Sequence, residues 1–203
     1  MIHDTILPYS TFRIINEVDL MTKVQGHHNV VQLKGMWRIR GNVILAMPYL
    51  HPCKFKELVA KIEVEEVKLY VANLMSALEH VHKLGIIHRD VKPDNFLYDR
   101  RVKKFSLIDF GLARLASQAG GSKETSPSAE CDCLGQLTVC PKCESMPHLD
   151  VPIAGTPGYL APESLLKFEE QTSAVDIWAA GVTMLCMLSR LAKIKNKIEP
   201  VDY

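Results

Sequence analysis

Apolar positions recur with helical spacing in two stretches of the chain, 14–24 and 64–83. These positions are Ile14, Val18, Met21 and Val24 in the first stretch and Val67, Val71, Leu74, Leu78 and Val81 in the second. A recurrence of about 3.6 residues places them on one face and predicts an amphipathic helix. Gly85, just after the second stretch, is suited to end that helix because glycine adopts the left-handed conformation readily. The pattern therefore predicts a short helix followed later by a long one.

Short runs of apolar residues predict strands on both sides of the long helix. Two of them, 30–33 and 43–47, are joined by a turn at 40–42, and two more lie at 96–97 and 106–108. Such runs bounded by turn residues are typical of strands. Together the elements predict the α+β class, with a small strand-bearing part ahead of a mainly helical part.

The apolar run 177–188 predicts a core helix that begins after Asp176. A helix needs about 20 apolar residues to span a bilayer. The run is shorter than that, so we expect a buried helix in a soluble intracellular protein without a membrane partner. The N-terminus has no basic patch followed by an apolar stretch, so no secretory signal is expected.

The charge balance does not indicate a nucleic-acid partner. The 203 residues contain 24 Lys and Arg against 23 Asp and Glu, so direct nucleic-acid binding, which needs a basic surface, is not expected. The basic group 100–104 is interpreted as a solvated turn between two strands, with a substrate or import patch as the alternative. Six cysteines without a secretory signal do not indicate a disulfide framework.

Two polar motifs stand out within apolar surroundings. The stretch HRDVKPDN contains Asp90, Lys92 and Asn95, and the stretch DFG begins at Asp109, 19 positions after Asp90. Asp90 can accept the proton of an attacking hydroxyl, and Lys92 can neutralise charge on a transferred phosphoryl group. Asn95 and Asp109 offer the oxygen ligands that hold magnesium against the phosphates of ATP. The two motifs therefore point to phosphoryl transfer.

These motifs, in this order and followed by APE at 161–163, resemble those of the eukaryotic protein kinase superfamily. The resemblance implies a bilobal fold, ATP and Mg²⁺ as cofactors, and transfer to protein hydroxyls. Lys92 resembles the serine/threonine branch in particular. Thr156 fits that branch because its hydroxyl can bridge Asp90 and Lys92, although an ordinary turn threonine is the alternative.

The same resemblance implies an adenine site at a crossover between lobes, which divides the chain into 1–50 and 51–203. By resemblance, backbone groups of Pro48 and Leu50 read the adenine edge. Met47 guards the back pocket, and Leu97 forms the floor of the site.

Three further residues have implied positions around this site. Glu17 matches the helix glutamate that pairs with a phosphate-binding lysine, and a solvent-facing glutamate is the alternative. Phe110 is expected to pack inward against His88 and Met21. Asp176 is expected to anchor the catalytic-loop backbone from a helix N-terminus.

The chain departs from the kinase pattern at both ends. It has no G-x-G-x-x-G loop and no lysine ahead of Lys23, so the lysine that would pair with Glu17 is missing. The helices that complete the larger lobe do not follow the core helix. We therefore expect an incomplete N-lobe and a truncated, mainly helical C-lobe, with little activity in these residues alone.

From about 114 to 152 the composition shifts to Gly, Ser and Pro, which indicates a loop-like insert. The insert contains a C-x-C-x6-C-x2-C motif, formed by Cys131, Cys133, Cys140 and Cys143. Four thiolates on two short knuckles suit tetrahedral zinc, and the metal would order a segment too polar to fold by itself. Free thiols are the alternative.

A kinase with this cysteine motif in an expanded activation segment resembles one family, the cell-division-cycle seven kinases. The stretches AMPYL at 46–50 and NFLY at 95–98 support the resemblance. It implies a nuclear serine/threonine kinase that initiates DNA replication, needs a regulatory subunit and acts on acidic substrates in the replicative helicase.

Two other functions remain open. A non-catalytic kinase-like module would bind the regulatory partner but transfer nothing. A zinc-dependent interaction protein would have no nucleotide role, but the joint presence of Asp90, Lys92, Asn95 and Asp109 disfavours it.

Overall fold

A computed structural model of the chain describes residues 8–40, 42–116, 154–166 and 171–195. In chain order the elements are α1 (Pro8–Val24), β1 (Gly35–Ile39), β2 (Asn42–Ala46), α2 (Phe55–Ala60), α3 (Val64–Lys83), β3 (Ile86–Ile87), β4 (Phe96–Asp99), β5 (Lys104–Leu107), β6 (Arg114–Leu115), α4 (Pro162–Leu165) and α5 (Ala174–Lys195). The strands of the described residues form three antiparallel pairs, β1 with β2, β3 with β6, and β4 with β5. The predicted α+β class is confirmed.

The helical period located the long helix to the residue. Helix α3 covers Val64–Lys83, and the side chains predicted for its apolar face include Val67, Leu74, Leu78 and Val81, all of which are buried. The short helix was also found, but α1 begins at Pro8, six residues before its predicted start. Its last turns bring the buried Leu20, Met21 and Val24 into the same core.

The strand predicted at 30–33 is wrong, and the strand preceding the turn is instead Gly35–Ile39. Residues 30–33 form an extended segment held by the end of β5, because the Leu107 amide donates to the Asn29 carbonyl at 2.7 Å and the Val31 amide to the Leu107 carbonyl at 2.9 Å. Val30 and Val31 are buried in the same core cluster as Leu20 and Met21 of α1. The segment 30–33 is therefore held by a tertiary contact with β5 and does not form a hairpin strand.

The predicted core helix is longer and less buried than expected. Helix α5 has 22 residues, and its window Ala174–Leu191 is apolar and long enough to cross a membrane by length and composition alone. One such helix is weak evidence, because core helices of soluble proteins pass the same test. Only 33% of that window is buried, and Leu185 is 64% exposed. The predicted helix is therefore present, but it extends beyond the apolar run 177–188 and several of its apolar side chains are exposed.

A cluster of aromatic rings joins α3 to strands β4 and β5. Tyr70 of α3 lies edge-on to Phe96 with ring centroids 5.2 Å apart, and Tyr98 stacks on Phe105 at 4.3 Å. The Tyr70 hydroxyl donates to the Phe96 carbonyl at 3.1 Å. Burial raises the pKa of Tyr70, so the hydroxyl stays a donor. These contacts fix β4 and β5 against α3, and the two polar motifs extend from those strands. The division of the chain at residue 50 stays a prediction.

Candidate active site

The loop between β3 and β4 begins with a backbone turn that a buried carboxylate holds in place. Arg89 has a φ of 68°, which is left-handed and unfavourable for a residue with a side chain. Asp176, in the first turn of α5, accepts hydrogen bonds from the His88 and Arg89 amides, each at 2.8 Å. The contact predicted for Asp176 is therefore present.

Asp90, Lys92 and Thr156 form a closed triangle of hydrogen bonds. Lys92 Nζ donates to Asp90 Oδ2 at 2.7 Å and to Thr156 Oγ1 at 2.7 Å, and Thr156 Oγ1 donates to Asp90 Oδ1 at 2.6 Å. Asn95 Nδ2 adds bonds at 2.9 Å to Asp90 Oδ2 and to the Asp90 carbonyl. Thr156 is 66 residues away in sequence, so the fold brings these four groups together.

The triangle keeps Asp90 ionised. Burial acts to raise the pKa of Asp90, but hydrogen bonds from Lys92 and Thr156, and the charge of Lys92, outweigh it and hold the pKa below its ordinary value. A carboxylate that is ionised at neutral pH can orient a hydroxyl and accept its proton. The Lys92 ammonium lies beside this carboxylate, where it could neutralise negative charge on a transferred group.

Asn95 and Asp109 fit the ligand chemistry of magnesium. The amide nitrogen of Asn95 is committed to Asp90, which leaves its side-chain oxygen as an acceptor. Asp109 is exposed, and one of its oxygens accepts the Gly111 amide at 3.2 Å. The Ile108 amide donates to the Asn95 carbonyl at 2.8 Å, so the two motifs run side by side. Hard oxygen ligands of this kind are what magnesium prefers.

Phe110 packs inward as predicted. Its ring is fully buried and lies 5.0 Å from the His88 ring, in an edge-on arrangement. The Asp90 amide donates to His88 Nδ1 at 3.3 Å, so the opposite nitrogen, Nε2, carries the proton and donates to the Ile108 carbonyl at 3.0 Å. His88 therefore links the backbone of Asp90 to the residue ahead of Asp109.

Glu17 lies beside Asp109 and Gly111. A Cβ added at Gly111 would lie 3.2 Å from Asp109 Oδ1 and 3.7 Å from Glu17 Oε2. Burial, and next the charge of Asp109, raise the pKa of Glu17. Helix α1 therefore places this carboxylate beside that of Asp109, an environment that favours a cationic partner.

The residues of the predicted adenine site follow β2, at 47–50, and lie in β4, at Leu97. Met47 is exposed, while Leu50 and Leu97 are half-buried. Among the described residues, hydrogen bonds fix the segment just after residue 50, where the His51 amide donates to Asp99 Oδ2 at 3.2 Å and the Cys53 amide to the Tyr98 carbonyl at 2.9 Å. The roles of Met47, Pro48, Leu50 and Leu97 stay predictions.

One residue of the site was missed by the sequence reasoning. His82, in the last turn of α3, has its Nε2 2.8 Å from Asp176 Oδ2. A polar side chain next to the apolar stripe of α3 was the available signal. Its partner lies 94 residues away, so the pattern could not identify the contact.

The predicted zinc ligands lie outside the described residues. Cys131, Cys133, Cys140 and Cys143 all fall in the stretch 117–153 that the structure does not describe. Among the described residues, no group of three or more His, Cys, Asp or Glu is arranged to hold a metal ion. Neither fact tests the zinc prediction.

Comparisons with known proteins point in the same direction as this geometry. A model of the protein kinase domain matches residues 4–201. The chain is 35% identical over 189 residues to the probable cell division control protein 7 homolog 2 of Encephalitozoon cuniculi, covering 89% of this chain and 54% of that protein. It is 31% identical over 202 residues to the cell cycle serine/threonine-protein kinase hsk1 of Schizosaccharomyces pombe, covering 95% and 40%.

A shorter match has higher identity. Over 102 residues the chain is 45% identical to the cell division cycle 7-related protein kinase of Homo sapiens, which covers 50% of this chain and 18% of that protein. The chain thus spans about half the length of the Encephalitozoon relative and less of the other two.

Proposed function

The chain belongs to the protein kinase family, and on that premise we propose that the protein transfers the γ-phosphoryl group of ATP to serine or threonine hydroxyls. The observation that carries this proposal is the closed triangle of Asp90, Lys92 and Thr156. A loop with only a structural role would not need an ionised carboxylate, an ammonium group and a hydroxyl bonded to one another. Phosphoryl transfer uses all three.

The proposed reaction uses each of these groups in turn. Asp90 orients the acceptor hydroxyl and takes its proton as the oxygen attacks the γ-phosphorus. The bond from that phosphorus to the β-phosphate oxygen breaks, and ADP leaves. Lys92 neutralises the negative charge that builds up on the transferred group. Magnesium, held by Asn95 and Asp109, would supply further neutralisation of the phosphate oxygens.

The test is turnover of the full-length protein with labelled ATP and a serine peptide. Asp90→Asn should lower kcat by about 10²- to 10⁴-fold, the usual contribution of a general base. The matched control is Asp19→Asn, which alters an exposed carboxylate of α1 and should leave turnover unchanged. Unchanged turnover in Asp90→Asn would sink the proposal.

We further propose a role in starting DNA replication, within the nucleus and with a regulatory subunit. The support is the likeness to relatives named for cell division control and the cell cycle. The proposed substrates are acidic protein segments such as those of replicative helicase subunits. A peptide library in which phosphorylation ignored flanking acidic residues would contradict the substrate part of this proposal.

The zinc site is a separate proposal, supported by the spacing of Cys131, Cys133, Cys140 and Cys143. We expect one structural zinc ion per chain, which orders the insert and presents a surface for the regulatory subunit. Metal analysis of the reduced protein checks this, with Cys140→Ser/Cys143→Ser as the variant that loses the metal and Cys53→Ser/Cys186→Ser, two free cysteines elsewhere, as the control. Four freely titratable thiols and no zinc would rule the site out.

A second function, a non-catalytic module that binds the partner, is favoured by one observation. Glu17 lies beside Asp109, and its pKa is raised by burial and by that neighbouring charge. Two neighbouring carboxylates without a cation between them would repel nucleotide phosphates, as in a module that binds no nucleotide. Calorimetric titration with Mg·ATP separates the two functions, because a non-catalytic module without nucleotide binding gives no heat of binding.

A further inference from the structure

The hairpin of β1 and β2 has an exposed apolar face. Successive side chains of a strand point to opposite sides of the sheet. Leu45 of β2 packs against the core, so its neighbour Ile44 and the cross-strand partner of Ile44, Trp37, lie on the outer side. Trp37 and Ile39, two positions apart on this side, are each 54% exposed. The outer face of the hairpin therefore presents a tryptophan and two isoleucines away from the core.

The indole of Trp37 lies over Gly35. A Cβ added at Gly35 would lie 2.6 Å from Trp37 Cη2 and 3.1 Å from Trp37 Cζ2, so the ring fills the space that a side chain would occupy. One part of the indole is thus placed against the strand while the rest stays open to solvent. A large side chain that is ordered before binding loses little freedom on binding, and tryptophan is enriched among the residues that dominate binding energy at interfaces.

The hairpin is also positively charged. Residues 34–46 contain Lys34, Arg38 and Arg40 and no Asp or Glu, and the three cations are exposed. Within the described parts of the chain, no ion pair joins any of the three to a carboxylate. Charge that the fold leaves unneutralised attracts a partner of opposite sign and speeds its association. The surface therefore suits an acidic partner.

We propose that the outer face of the hairpin is a docking site for an acidic segment of the substrate that carries a large apolar side chain. That side chain packs against Trp37, Ile39 and Ile44, and the acidic side chains pair with the three cations. This inference rests on the proposed function, in which the substrates are acidic, and adds a binding site outside the triangle of hydrogen bonds. A nucleic acid would stack bases on Trp37 but make no use of the two isoleucines, so a protein segment is favoured.

A peptide without Ser, Thr or Tyr tests the docking without relying on turnover. The probe is a fluorescein-labelled peptide of Asp and Glu with a central Leu-Phe pair, and fluorescence anisotropy follows its binding to the full-length protein. We expect Trp37→Ala to raise Kd about 10- to 100-fold, as for a dominant interface residue. Trp178→Ala is the matched control, since Trp178 is 48% exposed on α5 and its loss should leave Kd unchanged.

Gly35→Ala is the sharper variant, because it keeps Trp37 and all three cations. Gly35 is not among the glycines with a positive φ, so alanine suits the backbone while its Cβ displaces the indole. We expect Kd to rise about 10-fold, and this variant decides the matter if Trp37→Ala does not fold.

Three results would overturn the docking site. The first is a wild-type Kd in Gly35→Ala and in any folded Trp37→Ala. The second is equal affinity for a peptide with Gly in place of Leu-Phe, or with Asn and Gln in place of Asp and Glu. The third is tighter binding of a labelled single-stranded oligonucleotide of the same charge, which would assign the surface to nucleic acid.

Kinetics separates this inference from the proposed function. A substrate that joins the acidic segment to a serine acceptor should show a KM about 10-fold higher in Trp37→Ala with kcat unchanged, whereas a serine peptide without the segment should be unaffected. Normal phosphorylation without peptide binding would refute the docking site alone. Peptide binding by a protein that never phosphorylates would refute the proposed function alone.

Discussion

At the scale of single residues, the fold shifts the pKa values of two carboxylates, Asp90 and Glu17, in opposite directions. Hydrogen bonds and the charge of Lys92 hold the pKa of Asp90 low despite its burial, whereas burial, and next the charge of Asp109, raise the pKa of Glu17. Asp90 is thus prepared to act as a base, and Glu17 to accept a cation. The same side-chain chemistry acquires two roles because its neighbours differ.

Thr156 offers a test of the triangle. Thr156→Val keeps the shape of the side chain but removes the hydroxyl that bonds Asp90 and Lys92. We expect kcat/KM to fall about 10- to 100-fold, as for hydrogen bonds to charged groups. Losing a donor also raises the pKa of Asp90, so the acidic limb of the pH–rate profile should move to higher pH. Thr156→Ser, which keeps the hydroxyl, should retain both rate and profile.

Asp99 supports a prediction about stability and pH. Hydrogen bonds from the Arg101 side chain, and from the His51 and Arg101 amides, outweigh burial and lower the pKa of Asp99. A folded-state pKa below the unfolded value of about 3.9 stabilises the fold above that pH. The contribution is lost as pH falls below about 4. The urea midpoint of Asp99→Asn should therefore lie below that of wild type at pH 7, with a smaller gap at pH 3.

The exposed Asp19→Asn serves as the control for that measurement, since Asp19 pairs with Lys23 on the surface of α1. Its urea midpoint should follow that of wild type at both pH values. A gap for Asp99→Asn that stayed constant between pH 7 and pH 3 would contradict the role assigned to the ionised carboxylate.

At the scale of elements, the turn that delivers Thr156 depends on a glycine. Gly155 has a φ of 126°, and a Cβ there would meet Leu160 Cδ2 at 2.7 Å and the Arg89 carbonyl at 2.9 Å. The segment 154–160 therefore lies directly against the catalytic loop. Only a residue without a side chain allows this approach.

Gly155→Ala should lower Tm more than Gly158→Ala, because only the Cβ added at residue 155 would clash with its neighbours. Gly158 also has a positive φ, 91°, but nothing lies within 4 Å of an added Cβ, so Gly158→Ala reports the backbone cost alone, about 1–2 kcal/mol. At about 2–4 °C per kcal/mol for a chain of this size, its Tm should fall a few degrees. The Tm of Gly155→Ala should fall further, and this variant should lose activity as well. Equal Tm values for the two variants would exclude a role for the close approach.

At the scale of the whole molecule, α5 has two unlike faces. Met187 is fully buried against the core, whereas Leu185 and Leu188 are exposed together with Ile177 and Trp178. The helix therefore anchors the catalytic loop through Asp176 while presenting an apolar stripe outward. A stripe of this kind on a described surface is unusual for a monomer.

Substitution to alanine should change the free energy of unfolding by different amounts on the two faces of α5. Met187→Ala removes buried contacts and should lower the free energy of unfolding by about 2–5 kcal/mol. Leu185→Ala alters an exposed side chain and should change it by about 0.5 kcal/mol or less. Urea unfolding of the two variants provides the comparison. A large loss in Leu185→Ala would show that the outer face is covered in solution.

The sequence by itself determined the protein family and the local elements. Asp90, Lys92, Asn95 and Asp109 could be predicted as site residues because phosphoryl transfer needs those residue types at that spacing, and their roles stay predictions. Helix α3 could be placed to the residue because its apolar period is set by local geometry. Both depend on neighbours within a few positions along the chain.

Only the tertiary structure decided how distant segments meet. The segment 30–33 became a partner of β5 instead of a hairpin strand, since the Leu107 backbone offered its hydrogen bonds. His82 reached Asp176 across 94 positions, and α5 left Ile177, Trp178, Leu185 and Leu188 exposed. Hydrogen-bond partners and burial are set by packing between elements, which no local pattern of hydrophobic and polar residues contains.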